Sequence, residues 1–151
     1  MTELAYRPVA ASDLPFIVSL VIADSVVDTG DDPAAADPAY QRALAEIDQS
    51  PNEEMWIAED AGTPVGCFQL SFTPGLLRHG AWRATIELVH IVPERRNAGL
   101  GGKMIGFAIE RCRARHCDIV QLTSNKKRTD AHRFYERLGF ARSHEGFKLY
   151  L

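Results

Sequence analysis

The residues best suited to bind a ligand lie in one turn rich in glycine and arginine. The turn follows an apolar run (86–92) that Pro93 ends, and it precedes Leu100 and Met104, which begin an apolar pattern with helical spacing. Glycine lets the backbone approach a ligand closely, and the free amides at a helix N-terminus attract anions. The sequence therefore predicts a phosphate-binding turn between a strand and a helix, formed by Arg95, Arg96, Asn97, Ala98, Gly99, Leu100, Gly101, Gly102 and Lys103.

Two common phosphate motifs do not match this turn. A P-loop needs Ser or Thr directly after its lysine, and Met104 stands at that position after Lys103. A dinucleotide-binding turn needs Gly-x-Gly-x-x-Gly and an acidic residue at the end of the following strand, and the chain has neither. The pattern that does match is Arg/Gln-x-x-Gly-x-Gly, formed by Arg96, Gly99 and Gly101.

This pattern and the run 134–140 (Phe-Tyr-Glu-Arg-Leu-Gly-Phe) resemble the GNAT acetyltransferase superfamily, and the resemblance covers nearly the whole chain. It implies the α/β (α+β) GNAT fold, with a mixed, mostly antiparallel central sheet that is splayed at its middle strands and flanked by about four helices. It also implies a single domain over residues 1–151 that ends with two closing strands.

The resemblance implies acetyl-CoA as the cosubstrate and no metal. In the family, the turn grips the pyrophosphate, and backbone groups of the central strand hold the pantetheine arm. Asn97 stands where the family usually has Gly, but Asn tolerates the left-handed conformation better than most residues. The asparagine that contacts the CoA arm in many members has two candidate positions here. The implied cofactor contacts beyond the turn are therefore Val89, Ile91, Val92, Tyr135, and either Asn125 or Arg128.

Two side chains are candidates for proton transfer. Glu87 is a carboxylate in an apolar strand, and it could take a proton from the substrate amine directly or through a water molecule. Its alternative role is pairing with Arg83 or with a loop amide, and His90 is a weaker candidate base. Tyr135 matches the family tyrosine that meets the CoA sulfur, where it either protonates the departing thiolate or only orients it. Its alternative role is that of a packed core aromatic.

These residues imply an N-acetyltransferase that moves an acetyl group to a primary amine of a small molecule or a protein, by direct attack in a ternary complex. The alternative is a non-catalytic module of the same fold that binds acyl-CoA as a sensor or interaction domain. The acidic loop that includes Asp28, Asp31, Asp32 and Asp37 suits a cationic acceptor, but a solvated polar loop is the safer interpretation.

The composition narrows the classes of protein to which the chain could belong. A net charge of −3 argues against a dedicated nucleic-acid-binding protein. Three widely spaced cysteines form neither a disulfide framework nor a zinc motif. The chain shows no signal peptide and no apolar run long enough for a membrane span. We therefore expect a cytoplasmic protein, and a homodimer is compatible with this interpretation.

Apolar spacing and turn residues predict the elements that position these groups. Strands are expected at 4–8, 55–59, 65–73, 82–92 and 119–123, and helices at 13–25, at 39–47, from Leu100 to Cys112, and at 130–138. The run 86–92 is apolar almost throughout, which is typical of a strand covered on both faces.

Overall fold

The computed structural model describes residues 3–151 and is built around one five-stranded sheet. The spatial order of the strands follows the chain. The first four strands pair antiparallel with one another in succession, and the fifth strand pairs parallel to the fourth. This arrangement confirms the expected mixed, mostly antiparallel sheet. The strands are β1 (Ala5–Pro8), β2 (Glu53–Asp60), β3 (Thr63–Pro74), β4 (Trp82–Ile91) and β5 (Cys117–Gln121).

Within residues 3–151, four regular helices flank the sheet, as expected from the resemblance. Asp37 begins the second of them, because its side chain accepts a hydrogen bond from the amide of Ala39 at 2.8 Å. A further one-turn segment, α3 (Leu77–Gly80), is left-handed at Arg78 and His79. Two short 3₁₀ turns lie at Ala11–Asp13 and Pro93–Arg95. The helical segments are α1 (Leu14–Asp24), α2 (Pro38–Gln49), α3 (Leu77–Gly80), α4 (Leu100–Ala114) and α5 (Thr129–Arg137).

The two faces of the sheet bury two separate apolar clusters. Successive strand residues point to opposite faces, so Ala58 packs in the cluster under α4 while its neighbour Ile57 packs in the cluster under α1. Each cluster contains a buried thiol, Cys112 on the α4 side and Cys67 on the α1 side. The core therefore fixes α1 and α4 on opposite sides of the central strands.

The sheet opens between β4 and β5. The two strands pair only from Trp82 to Thr85 on β4, and the last pair, Thr85 with Gln121, is reinforced by a side-chain hydrogen bond of 3.1 Å. Beyond Thr85, β4 continues to Ile91 with β3 as its only strand partner within residues 3–151. The predicted splay is thus found between β4 and β5, the last two strands of the sheet.

This opening overturns one sequence expectation. The run 86–92 was expected to be covered on both faces, yet only Ile86 is buried, Glu87 is exposed, and the remaining residues are half-buried. The reason is that β5 has already diverged at this level, so it no longer shields the edge of β4 from solvent.

A β-bulge in β4 coincides with the opening. Between the pairs Cys67–His90 and Gln69–Glu87, β3 contributes one residue, whereas β4 contributes both Leu88 and Val89. Leu88 has a φ of 56°, a left-handed value that branched apolar residues rarely adopt. Bulges bend a strand and increase its twist. The bulge therefore turns β4 away from β5 where the opening begins.

The two closing strands implied by the resemblance are not found. After α5, residues 140–151 form neither helix nor strand. A strand needs a hydrogen-bonding neighbour, and no segment of residues 3–151 pairs with this stretch. Among the same described residues, no helix is long and apolar enough to cross a membrane.

A test of the bulge region uses Gly66, which lies opposite Ile91 on β3. A Cβ atom there would lie 2.7 Å from the carbonyl oxygen of His90 and 3.1 Å from the sulfur of Met104. Gly66→Ala should therefore lower the free energy of unfolding by about 1–3 kcal/mol through overpacking. The control, Gly106→Ala in α4, has no atom within 4 Å of the new methyl group, and it should stabilise by up to about 1 kcal/mol. Urea unfolding measures both, and equal stabilities would contradict the close packing of Gly66.

Candidate active site

The glycine-rich turn places the N-terminus of α4 at the opening of the sheet. Asn97 and Gly99 have φ values of 61° and 76°, so the left-handed conformation expected for Asn97 is confirmed. No atom lies within 4 Å of the position where Gly99 would carry a Cβ. The first amides of a helix have no partner inside it, and here they follow an open, left-handed turn. The turn thus has the features of an anion cradle.

The residues around this cradle have unequal access to it. Leu100 is 2% exposed, so its side chain belongs to the core and only its backbone can meet a ligand. A Cβ on Gly101 would lie 3.2 Å from the ring of Phe134, so this glycine also allows α4 and α5 to pack closely. Arg95 forms an ion pair with Asp60. Arg96 donates to the carbonyl oxygen of Ile91 at 3.3 Å. Ala98, Gly102 and Lys103 complete the turn and the first turn of α4.

The edge of β4 presents backbone groups to the opening. The amide of Val92 donates to the carbonyl oxygen of Val65 at 2.9 Å, so it points toward β3. Because successive amides of a regular strand point in opposite directions, the amide of Ile91 points away from β3, toward the opening. Val92 is thus separated from Ile91, with which sequence reasoning grouped it. Val89 lies in the bulge, where the regular alternation is interrupted.

A cavity of about 260 Å³ lies where β4 and β5 diverge. Its walls come from the end of α1, the second half of β4, the segment that follows β5, and α5. The cavity therefore brings together residues that are far apart in the chain. The sequence-predicted site residues on its walls are Glu87, Val89, Asn125, Arg128 and Tyr135.

The charged contacts at this cavity converge on Asp24, the last residue of α1. Sequence reasoning missed this residue. Its Oδ2 atom lies 2.9 Å from Nδ1 of His90 and 2.6 Å from Nη2 of Arg128. Its Oδ1 atom lies 3.4 Å from Nη2 of Arg96. Burial alone would raise the pKa of Asp24, but the hydrogen bonds from Arg128 and His90 and the nearby positive charges outweigh it, so this pKa is lowered. The only sequence signal was an acidic residue at the end of an apolar helix.

His90 is held mainly in its neutral form. Burial lowers the pKa of its imidazole, and the hydrogen bond with Asp24 only partly offsets that effect. At neutral pH the ring is consequently uncharged, with one nitrogen engaged by the carboxylate of Asp24. A neutral imidazole beside the cavity can accept a proton.

Tyr135 and Glu87 lie on different walls of the cavity and in different environments. Burial raises the pKa of the Tyr135 hydroxyl, which keeps it protonated at neutral pH and able to donate. The ring packs against Phe134 and Phe140, with centroids 5.1 and 5.8 Å away. Glu87 is exposed, so its carboxylate is open to water and to an incoming substrate.

The two candidates for the cofactor-binding asparagine position both reach the cavity. The side-chain oxygen of Asn125 accepts the amide of Lys127 at 2.9 Å, which closes a turn after β5. Arg128 directs its guanidinium to Asp24. Within residues 3–151, no group of three or more His, Cys, Asp or Glu side chains could hold a metal ion.

The pairing of Asp24 predicts how stability depends on pH. Asp24→Asn removes the charge that Arg128 and His90 contact, so at pH 7 the free energy of unfolding should fall by about 1.5–3 kcal/mol. A carboxylate with a lowered pKa stabilises the fold above its unfolded value, and this contribution is lost as the pH falls through its folded value. The difference from wild type should therefore shrink below about pH 4. Asp48→Asn, at an exposed site of α2, is the charge-matched control, and a difference that does not change with pH would contradict the assignment.

Comparisons with known proteins agree with this geometry. The family model described as Acetyltransferase (GNAT) family matches residues 24–140. An aminoalkylphosphonate N-acetyltransferase of Salmonella typhimurium is 33% identical over 109 residues, which are 72% of this chain and 70% of that protein. A glucosamine 6-phosphate N-acetyltransferase of Trypanosoma brucei brucei is 38% identical over 87 residues, which are 58% of this chain and 56% of that protein.

A solved structure supports the fold over the whole chain. It is described as a transcriptional regulator from Bacillus halodurans C-125, and it superposes with a TM-score of 0.88 at 38% identity. The match covers 99% of this chain and 100% of that chain. The expected GNAT fold is thereby confirmed. The chain belongs to the GNAT acetyltransferase family, and it is an acetyl-CoA-dependent N-acetyltransferase.

Proposed function

We propose that the chain transfers the acetyl group of acetyl-CoA to the primary amine of a small molecule that also carries an anionic group. The transfer occurs by direct attack of the amine in a ternary complex. The observation that carries this proposal is the cavity between β4 and β5, since the candidate base Glu87 and the candidate acid Tyr135 both line it. The anionic group is suggested by relatives named for a phosphonate and a phosphate substrate.

The residues around the opening fit the donor. The open turn at Gly99 and the amides that begin α4 would bind the pyrophosphate. The amides of Val89 and Ile91 would bind the pantetheine arm as a sheet edge binds an extended peptide. When bound, acetyl-CoA supplies the acetyl group as an activated thioester. An amide of β4 that points into the opening can also polarise a carbonyl group there.

Proton transfer is assigned to side chains on both walls. Glu87 takes the proton of the ammonium group, directly or through a water molecule, because it is exposed at the cavity. Tyr135 holds a proton at its hydroxyl for the departing thiolate, since burial raises its pKa and keeps it protonated. His90 is the competing base, because it is neutral and oriented by Asp24.

The cavity favours a small acceptor that carries both a positive and a negative charge. Its volume of about 260 Å³ lies just below the roughly 300–1,000 Å³ of typical ligand pockets. The exposed carboxylate of Glu87 attracts an ammonium group. The guanidinium of Arg128 has five N–H donors, and its hydrogen bond to Asp24 uses one of them, so it can also bind an anion.

The assignment is tested by incubating the protein with acetyl-CoA and a panel of amines, and detecting the acetylated product by mass spectrometry. Aminoalkylphosphonates and amino-sugar phosphates should be acetylated faster than the same amines without the phosphorus group. A peptide with a free N-terminus serves as the protein-type acceptor. Faster acetylation of this peptide than of the small amines would contradict the small-molecule proposal. Binding of acetyl-CoA without turnover of any amine would favour the non-catalytic module.

Ala98→Asp separates failure of the donor site from failure of the acceptor. A carboxylate at the start of α4 should leave the free protein as stable or slightly more stable, because it complements the helix dipole. It should repel the pyrophosphate, so the stabilisation of about 2.7 kcal/mol expected at 100 times the wild-type Kd should largely disappear. Ala98→Ser is the uncharged control at the same exposed position.

Substitution of each candidate base identifies which one acts. With a competent amine, Glu87→Gln should lower kcat/KM by about 10²–10⁴-fold near neutral pH, as for loss of a general base. Activity should partly recover as the pH rises, because the amine then loses its proton without help. His90→Gln should retain most of the activity across the same pH range. The reverse result, with the pH-dependent loss in His90→Gln, would transfer the role of base to His90.

A further inference from the structure

The imidazole of His90 has one nitrogen bound and one nitrogen open to the cavity. Nδ1 lies 2.9 Å from Oδ2 of Asp24, whereas Nε2 forms no hydrogen bond within residues 3–151. In the same part of the chain, no buried side-chain nitrogen or oxygen lacks a hydrogen-bond partner, so Nε2 must reach solvent. Because His90 lines the cavity between β4 and β5, the solvent that Nε2 meets is the water of this cavity.

Asp24 fixes which nitrogen of the ring carries the proton. The pKa of its carboxyl group is lowered, so at neutral pH it is an anion that accepts the proton on Nδ1. Burial lowers the pKa of His90, and a neutral imidazole has a single N–H group. Nε2 therefore presents a lone pair to the cavity. A carboxylate orients the imidazole of a general base in the same way in serine hydrolases.

The cavity can hold water beside this lone pair. Its volume is about 260 Å³, and one water molecule occupies roughly 30 Å³ of liquid. A buried water needs two to four polar partners, and the hydroxyl groups of Ser25, Thr123 and Ser124 on the walls can supply them. The amide of Ile91, which follows His90 in the chain, points into the opening and can polarise a carbonyl group there.

The surroundings of His90 favour water over an ammonium group as its partner. Arg128 and Arg96 contact the carboxylate of Asp24 at 2.6 and 3.4 Å, so two positive charges lie near the ring. They repel an ammonium group but not a neutral water molecule. An imidazole with a lowered pKa is also a poor base for an amine whose pKa is about 10.

We propose that His90 is a general base for water, positioned by Asp24, and that the chain hydrolyses acetyl-CoA when no amine occupies the cavity. This inference rests on the binding of the thioester between β4 and β5 that the proposed function requires. It adds a second activity to the same site, with a base other than Glu87.

The hydrolysis balances in atoms and protons. Nε2 of His90 takes one proton from a water molecule while the water oxygen forms a bond to the acetyl carbon. The carbon–sulfur bond then breaks, and the departing thiolate takes the proton held by Tyr135. The proton on His90 replaces it through solvent, and the acetic acid loses its remaining proton to water. The products are acetate and the free thiol.

The test measures thiol release from acetyl-CoA alone, and the entry of oxygen from isotopically labelled water into acetate. Wild type should show both without any amine, and a competent amine should suppress the labelling by displacing water. His90→Gln should lower the rate of hydrolysis by about 10²-fold or more and retain most of the transfer to the amine. His144→Gln, at an exposed position outside the cavity walls, is the matched control and should hydrolyse as wild type does. Melting temperatures verify that both variants are folded.

Nitrogen NMR of the free protein tests the pair without acetyl-CoA. The His90 ring should carry its proton on Nδ1 and titrate below its ordinary pKa of about 6.5. Asp24→Asn should lower this pKa further, because the hydrogen bond and charge of Asp24 raise it. Since the base must be neutral, the rise of hydrolysis with pH should move to lower pH in this variant. A purely structural role of Asp24 would shift neither the pKa nor the pH profile.

The outcomes separate this inference from the proposed function. A wild type that acetylates an amine but does not hydrolyse acetyl-CoA would overturn the inference alone. Hydrolysis without transfer to any amine would support the inference and overturn the proposed function. A larger loss of hydrolysis in Glu87→Gln than in His90→Gln would assign the water to Glu87 and overturn the inference, as would a proton found on Nε2 of the free protein.

Discussion

The divergence of β4 from β5 is the constraint on which the rest of the structure depends. Once β5 leaves after Thr85, one edge of β4 has no strand to pair with, and backbone groups that are neither paired nor hydrated are costly. The bulge at Leu88 and Val89 bends the strand at the same level. A fold that keeps such an edge keeps it open to water and to ligands. The cavity, the N-terminus of α4 and the ring of Tyr135 are all arranged around this opening.

Asp24 connects the elements that border the opening. Its carboxylate joins the end of α1 to His90 on β4, to Arg128 before α5, and to Arg96 in the glycine-rich turn. A partly buried carboxylate is favourable only when it is well paired, and this one has three cationic or polar partners. The same contacts that stabilise the fold therefore hold Arg128 at the cavity and Arg96 in the glycine-rich turn.

Short-range patterns were readable from the sequence, and long-range pairings were not. The turn at Asn97 and Gly99 could be predicted because backbone conformation and helix start depend on adjacent residues. Asp24 could not, because its partners His90 and Arg128 lie 66 and 104 residues away. The exposure of Glu87 was also missed, because it depends on where β5 diverges and not on the composition of β4. The prediction of two closing strands was wrong for a related reason. A strand needs a pairing neighbour, and the sequence of residues 140–151 does not specify one.

The burial of the cysteines has a consequence for chemical labelling. Burial raises the pKa of Cys67 and of Cys112 to about 12, so neither thiol forms an appreciable thiolate near neutral pH. Cys117 is half-buried at the start of β5, and of the three it is the one within reach of solvent. An alkylating reagent should consequently modify the native chain at one position and the unfolded chain at three. The natural sequence thus carries its own attachment point for a spectroscopic probe on the edge strand.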